Sequence, residues 1–476
     1  MNVDNLQRCG TCMVHHKHEK NFGGRIGRSG VSLQTAINVT GVRDIKRCLL
    51  WGGRKWNFSG IHSDNGTINY SINGSMKLNG NPALYTESTT YNTMVDTIME
   101  RLSEIIPFTF TRVANFNESI IDFNFCASGF FGSPYIVGYA NPPGYADSWT
   151  YGEPDTKTST DSDGCIFMNL SWFHSGFENM GSWIHLIILH ELGHALGLAH
   201  PHDRGGVSTI MPGVSSSSSA GTYGQNDFIY TTMTYRDNVS KYGPRSITSA
   251  TGYVENFMTL DTACLQYLYG RATSSGSNTT YSLLTSSTNN WKAIYDSGGT
   301  NTMSGTSAGT SVTMDTRKAN LQLRSRNAGG YVSKSKASTG GRGGFLVAHN
   351  TNINRVTTGN RNNTTVAKSS VTVTCGSGTQ TVYVRGTGIT VTKANGIGGT
   401  VHVTFNYNPR RKRNRGRIIV LRNQKKLIVR RRGRLICTCT NITSFKFQGR
   451  RIRSMNRYYR IARKRRRNRL NIRGRI

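Results

Sequence analysis

Apolar residues in the first part of the chain recur with two different periods, which predict a domain of mixed structure. Strand-like segments lie at Thr67–Ile72, Phe108–Val113, Ser119–Phe125 and Cys165–Leu170. Helical spacing is found over residues 91–106, 182–198 and 260–269. Because strands come before helices instead of alternating with them, the order favours the α+β class over a doubly wound sheet.

A different pattern begins after residue 270, where Gly, Ser, Thr and Asn dominate. Apolar residues there alternate with polar ones, as in Val371-Thr-Val373, and Gly separates the runs. This pattern predicts a β-rich module with one apolar face. We therefore expect four parts: a leader or pro-segment (1–43), a globular domain (44–270), the β-rich module (271–409) and an Arg/Lys-rich tail (410–476).

Charge is distributed very unevenly along the chain. All 24 acidic residues lie at or before Asp315, whereas 39 of the 59 basic residues follow it, 27 of them from Arg410 onward. Dense Arg without acids predicts that residues 410–476 bind a polyanion, without sequence specificity because no known recognition motif is present. Nucleic acid is the favoured partner. An anionic membrane, a polysaccharide and a solvated tail without a specific partner remain open.

Other features exclude some classes of protein. No run approaches 18 apolar residues, so no transmembrane segment is expected. The first residues lack the basic and apolar regions of a secretory signal peptide. Nine cysteines at scattered spacings argue against a disulfide scaffold.

The segment His190-Glu-Leu-Gly-His194-Ala-Leu-Gly-Leu-Ala-His200 carries the strongest chemical signal. A helix places His190 and His194 on one face, where two imidazoles chelate one Zn²⁺. Glu191 then lies beside the first ligand, where a general base reaches a zinc-activated water.

A third histidine completes the set if the helix stops in time. Gly197 permits the positive φ that turns the chain back toward the metal, so that His200 becomes the third ligand. The spacing favours His200 over His202. Three His ligands leave one position open, as in catalytic zinc sites. The predicted reaction is hydrolysis of peptide bonds without a covalent intermediate.

This motif resembles the metzincin clan of zinc endopeptidases, and His200-Pro-His-Asp203 resembles the serralysin family within it. The resemblance implies a Met-turn, which Thr231-Thr-Met233-Thr-Tyr235 matches, with Tyr235 stabilising the oxyanion. Met211 is a rival, but no Tyr follows it. The clan's fold is a twisted, mostly antiparallel or mixed sheet with three helices and zinc in the cleft. The likeness extends to Trp51, Gly138–Gly144 and Cys165–Asn169. The resemblance also implies an extracellular or virion-associated location.

The serralysin resemblance also implies a calcium-binding repeat domain, and here the sequence departs from the family. No carboxylate follows Asp315, and Gly359–Asn363 resembles a repeat turn whose acid is replaced by Asn363. Ca²⁺ needs charged oxygen ligands, so none is expected in the C-terminal region. In the catalytic domain a Ca²⁺ site is conceivable, although a solvated acidic loop is favoured. Its residues are Glu153, Asp155, Asp161 and Asp163.

Cys9 lies in a segment that resembles the inhibitory cysteine of matrixin pro-segments. Its thiolate would fill the open zinc position. A separate metal site made of Cys9, Cys12 and the histidines that follow them is the alternative, and a leader with neither role is the favoured interpretation. The chain is thus expected to be a zinc endopeptidase with a polyanion-binding arm. The alternative is a nucleic-acid packaging protein with a vestigial protease domain.

Overall fold

A computed structural model describes most of the chain from residue 42 to residue 473, as two compact units. The first unit comprises the chain through Thr273 with 290–295 and 319–330, and the second comprises 274–289, 296–318 and 331–476. No helix in the described part is long and apolar enough to cross a membrane. The described residues are 42–56, 66–72, 77–78, 81–82, 89–114, 118–131, 133–143, 163–173, 179–236, 252–273, 276–283, 290–335, 343–406, 416–448, 450, 453–464 and 468–473.

One five-stranded sheet organises the first unit, in the order β4-β1-β5-β7-β6. Its strands are β1 (Thr67–Ile72), β4 (Thr109–Val113), β5 (Ile121–Cys126), β6 (Gly138–Ala140) and β7 (Cys165–Asn169). The expected sheet was mostly antiparallel or mixed. The sheet is mixed, but only the β6–β7 pair is antiparallel, and the other three pairs are parallel. A helix lies between β1 and β4 in the chain, and such a crossover is what parallel neighbours require.

The described residues of the first unit include the α-helices α1 (Thr89–Ser103), α2 (Trp183–Ala195) and α3 (Thr259–Tyr269). Helix α2 packs against β6 and β7, and all of its residues are buried, including its three histidines and Glu191. The Ser182 hydroxyl caps α2 by accepting from the His185 N–H at 3.1 Å. Helix α2 ends three residues before the expected Leu198. Further strands are β2 (Lys77–Leu78), β3 (Asn81–Pro82) and β9 (Trp291–Ile294).

The second unit contains two long sheets whose central strands run parallel. Successive strands from β14 to β19 alternate between the sheets, so that each pairs with the strand two further along. Apolar residues at alternate positions, such as Val373, Val382 and Val403, are buried, which accounts for the predicted apolar face. Its strands up to β19 are β8 (Thr280–Ser282), β10 (Thr302–Ser304), β11 (Val312–Asp315), β12 (Lys334–Ser335), β13 (Gly344–Val347), β14 (Arg355–Thr357), β15 (Asn363–Ala367), β16 (Thr372–Cys375), β17 (Thr379–Val384), β18 (Ile389–Lys393) and β19 (Thr400–Phe405).

The basic region continues the same two sheets, which contradicts the expectation of a separate tail beginning at residue 410. Strand β18 pairs with β22 and β19 with β23, so strands on both sides of that boundary form one structure. Alternating residues such as Ile418, Val420 and Leu427 are buried, and this apolar face is what folds the segment. Its elements are β20 (Gly416–Leu421), β21 (Lys426–Arg431), β22 (Arg434–Thr440), β23 (Ser444–Phe447), β24 (Arg453–Ser454), α4 (Met455–Lys464) and β25 (Arg469–Arg473).

Candidate metal centre

Three imidazoles converge at the end of α2. The Nε2 atoms of His190 and His194 are 3.2 Å apart, those of His190 and His200 are 3.2 Å apart, and those of His194 and His200 are 2.9 Å apart. A tetrahedral Zn²⁺ with bonds of about 2.0–2.1 Å separates its nitrogen ligands by about 3.4 Å. The three side chains are therefore arranged as one ligand set, and all three are buried.

The outward-facing nitrogens fix the tautomer of each ring. The Nδ1 of His190 lies 2.8 Å from the Thr232 carbonyl oxygen, and that of His194 lies 2.9 Å from the Leu198 carbonyl oxygen. The Nδ1 of His200 lies 2.7 Å from Oδ2 of Asp203. These oxygens accept hydrogen bonds, so each Nδ1 carries the proton and each Nε2 directs a lone pair inward. Converging lone pairs repel one another unless a cation lies between them, so the residues fit a metal ion.

A sharp turn after α2 brings the third histidine to the other two. Gly197 has a φ of 90°, and a Cβ there would lie 2.4 Å from the Arg54 carbonyl oxygen. Only glycine adopts this conformation in so little space. The Trp51 N–H donates to the Gly197 carbonyl, and the Trp56 indole donates to the Ala195 carbonyl. The segment around Trp51 therefore holds the turn on which His200 depends.

Glu191 lies beside the histidines with no hydrogen-bond partner for either carboxylate oxygen within the described residues. Its side chain is fully buried, and burial raises the pKa of Glu191 well above its ordinary value. Such a carboxylate is costly unless a cation or a water compensates it. The orphaned oxygens are a second observation that fits a metal and its solvent at this place.

The predicted Met-turn residues lie next to the histidines. Met233 is buried, and a Cβ at Gly193 would meet its sulfur at 2.5 Å, which places the thioether against α2 between His190 and His194. The Tyr235 ring centroid lies 5.6 Å from that of His190 and 4.7 Å from that of His200. The chain therefore brings both residues to the centre.

Asp261 fastens this turn to α3, a role the sequence reasoning missed. Its carboxylate accepts from the Thr231 hydroxyl at 2.5 Å, from the Thr232 N–H at 2.7 Å and from the Met258 N–H at 3.0 Å. Burial raises the pKa of Asp261 to about 6, and these hydrogen bonds oppose that shift. The sequence signal for this role is that Asp261 is an acidic residue in the first turn of a helix, where carboxylates accept backbone hydrogen bonds.

His202 lies beside the three-histidine cluster without belonging to it. Its ring stacks on His200 with centroids 4.9 Å apart, and it forms with His200 and Asp203 a second group of possible metal ligands. The Met211 N–H donates to the Pro201 carbonyl, and the contact with Gly193 belongs to Met233. Asp163 is buried. Cys9, Glu153, Asp155 and Asp161 lie outside the described residues.

Strand β6 runs along the outer edge of the sheet beside Glu191. A Cβ at Gly138 would lie 3.3 Å from Cγ of Glu191. The Val137 carbonyl and the Asn141 N–H bond to β7. Because strand residues alternate, the backbone groups of Gly138 and Ala140 point away from β7, and no described strand pairs with that edge. An extended peptide laid along β6 would pass the buried carboxylate.

Comparison with known proteins agrees with this geometry. The family model described as matrixin, a peptidase family, matches residues 64–227. That match covers about a third of the chain, includes the three histidines and Glu191, and ends before Met233. It supports a metzincin-type metalloprotease domain in this part of the chain. No curated protein matches the chain significantly.

Proposed function

We propose that this protein is a zinc-dependent endopeptidase, with His190, His194 and His200 as the metal ligands. The observation that carries the proposal is the convergence of three Nε2 atoms, each with its Nδ1 proton donated to an oxygen on the far side. Neutral imidazoles with fixed tautomers are suited to zinc. When bound, zinc lowers the pKa of a water molecule and polarises the carbonyl of the peptide bond to be cleaved.

Glu191 is the proposed general base and acid. Its carboxylate is oriented by α2 and has no hydrogen-bond partner among the described residues, so it is available to take a proton from water and give it to the leaving amine. The backbone edge of β6 is proposed to align the substrate as an added strand, since peptides bind sheet edges in this way. Tyr235, whose ring lies against His200, is proposed to donate to the oxyanion.

Within the metzincins we infer a nearer relationship to serralysins. One support is the position of Met233 and Tyr235 beside the histidines. The other is the arrangement of strands β14 to β19, which alternate between two parallel sheets and which we call the parallel coil. This coil lies at the place in the chain where the family has its repeat domain.

Glu191→Gln is the decisive variant for the protease. We expect it to bind one zinc per chain and to lose casein hydrolysis by a factor of about 10²–10⁴, the usual contribution of a general base. Glu100→Gln, an exposed residue of α1, is the matched control and should behave as wild type. Retained hydrolysis in Glu191→Gln would refute the assigned role. Tyr235→Phe should lower kcat by about 10²–10³ with unchanged zinc content.

We also propose that residues 410–476 bind a polyanion. The second unit contains only two acidic residues, Asp296 and Asp315, so little within it neutralises the basic side chains. Deleting the region would remove strands from both sheets, so binding is better tested on the full chain. We expect the protein to be retained on immobilised duplex DNA in a salt-sensitive manner. Absence of any retention at low salt would contradict the proposal. The alternative, a packaging protein with a vestigial protease, predicts retention without zinc or hydrolysis.

A further inference from the structure

Arginines concentrate at one end of the long sheet, around the turn that joins β21 to β22. Arg417 on β20 lies directly opposite Arg430 on β21 and also opposite Arg473 on β25. The neighbouring residue Arg431 projects from the other face of β21, where it lies opposite Arg434 across the turn. The arginine cluster consists of Arg417, Arg430, Arg431, Arg432, Arg434 and Arg473.

This arrangement conflicts with the ordinary rules for a sheet. Like charges on directly opposite strand positions destabilise the pairing, because their Cβ atoms are only about 4.5–5.5 Å apart. The two carboxylates of the second unit are engaged elsewhere. Asp315 pairs with Arg317 at 2.6 Å, and Asp296 accepts from the Tyr281 hydroxyl and the Gly298 N–H. Directly opposed like charges break a local rule of sheet pairing, and such breaks are typical of functional sites.

The exposed side chains of the cluster surround the turn that joins β21 to β22. Arg430, Arg432 and Arg434 are exposed, and Arg432 occupies the tight turn with a φ of 47°. Four adjacent strands, β25-β20-β21-β22, contribute to the cluster, which therefore extends about 14 Å across the sheet. Arg is suited to such a surface, because its planar guanidinium binds phosphate through two parallel hydrogen bonds.

Nucleic acid fits this surface better than a membrane does. Duplex DNA carries one charge per about 1.7 Å of its axis, so about eight phosphates lie within the span of the cluster. Surfaces that insert into membranes need large apolar side chains at the contact. In the described part of the second unit only Ile397 and Leu435 are exposed large apolar residues. The apolar face of these strands is instead buried.

We propose that the arginine cluster, carried on the folded sheet, is the surface that binds the phosphate backbone of nucleic acid. This inference rests on the proposed polyanion binding and narrows it to one end of one sheet. Binding of phosphates relieves the repulsion between opposed arginines, so nucleic acid should stabilise the fold as well as attach to it.

The test compares two triple variants of the full chain that lose the same charge. Arg430→Gln/Arg432→Gln/Arg434→Gln removes exposed members of the cluster. Arg361→Gln/Lys368→Gln/Arg385→Gln removes three exposed cations from the coil of the same unit. Binding of a 20-base-pair duplex is measured from low to moderate salt, with heparin and phosphatidylserine vesicles as parallel arms. Thermal unfolding is followed with and without the duplex.

For the cluster variant we expect the slope of log K against log salt to fall by about two to three, and the control slope to change much less. The duplex should raise the melting temperature of wild type and control but not of the cluster variant. Equal losses of duplex affinity in both variants would overturn the proposal, because binding would then depend on net charge and not on the cluster. Tighter binding to heparin or vesicles than to duplex would overturn the choice of nucleic acid. Absence of binding to all three would instead refute polyanion binding as a whole.

Discussion

Asp203 and His200 are joined by a hydrogen bond of 2.7 Å between Oδ2 and Nδ1, and the same carboxylate accepts from the Gly205 N–H through its other oxygen at 2.9 Å. The second bond anchors the carboxylate to the backbone of the loop that follows. Asp203 therefore fixes both the tautomer and the orientation of the third ligand, from a position three residues further along the chain.

We predict that Asp203→Ala weakens zinc binding by a factor of about 10–100 without unfolding the domain, because partners of this kind orient metal ligands. Competition with a chromogenic chelator measures the change in affinity. Asp96→Asn, a half-exposed carboxylate paired with Arg112, is the control and should leave zinc affinity unchanged. An Asp203→Ala protein with wild-type zinc affinity would show that the hydrogen bond does not support His200.

Gly193 and Met233 provide a test of the packing beneath the site. In a helix interior Ala is favoured over Gly by about 1 kcal/mol. Here a Cβ at position 193 would lie 2.5 Å from the Met233 sulfur, so Gly193→Ala should instead destabilise by about 1–3 kcal/mol. Urea unfolding of Gly193→Ala, Met233→Ala and the double variant measures their coupling.

We expect the loss of unfolding free energy in the double variant to be smaller than the sum of the losses in the two single variants, since removing the thioether makes room for the new methyl group. Additive effects would mean that the two residues do not share this contact.

The motif residues were predictable from sequence because their geometry follows from helical spacing. His190, Glu191 and His194 need only a helix, and Gly197 and His200 need only one positive φ after it. The partners of these residues were not predictable. Asp203 acts through a loop, and Thr232 and Asp261 come from segments that approach α2 only in the folded chain. Nothing in their local sequence specifies those contacts.

The basic region was misread for a different reason. Its charge density suggested a separate tail, while alternation of Ile418, Val420, Leu427 and Val429 was present in the same residues and predicts strands. Along most of each strand the basic side chains project from one face, and the buried apolar side chains project from the other. A mostly antiparallel or mixed sheet was expected in the first unit, but which of its strand pairs are parallel was not predictable, since strand order is set by long-range contacts and not by local pattern.

Side-chain amides occupy the turns of the parallel coil. The buried Asn363 amide donates to the Gly359 and Arg361 carbonyl oxygens at 2.9 Å each, and the buried Gln380 amide donates to the same two oxygens. These carbonyls therefore point at N–H groups supplied by the protein. We predict that chelation by EGTA leaves the melting temperature of the second unit unchanged.

Asn363→Asp tests the same turn directly. A carboxylate loses both donated hydrogen bonds and faces two carbonyl oxygens, so we expect a loss of about 1–3 kcal/mol that millimolar Ca²⁺ partly restores. Asn362→Asp is the matched control, because its Oδ1 only accepts from the Thr379 N–H at 2.9 Å and an aspartate does the same. Equal stability of the two variants in chelator would contradict the role given to the Asn363 amide.

His185 provides a pH-dependent contribution to the stability of the first unit. The ring is buried in α2, its Nδ1 donates to the Val254 carbonyl oxygen at 2.9 Å, and its Nε2 has no partner among the described residues. Burial lowers the pKa of His185 to about 4, against an ordinary value of 6.5. The hydrogen bond to Val254 and the charge of Glu255 partly oppose this shift, and the charge of Arg101 adds to it. The unfolded chain therefore binds a proton between these pH values that the folded chain does not.

Unfolding free energy should accordingly fall as pH decreases from 6.5 toward 4, by about 3 kcal/mol from this group. Asp261 has the opposite sign, since its raised pKa of about 6 favours the fold at low pH, so the total curve does not isolate His185. His185→Gln keeps an N–H donor for Val254 but cannot take up the proton. Urea titrations between pH 7 and 4.5 measure the unfolding free energy of both proteins. The value for wild type minus that for His185→Gln should decline steadily as the pH falls. Parallel curves for the two proteins would mean that His185 is not held neutral by the fold.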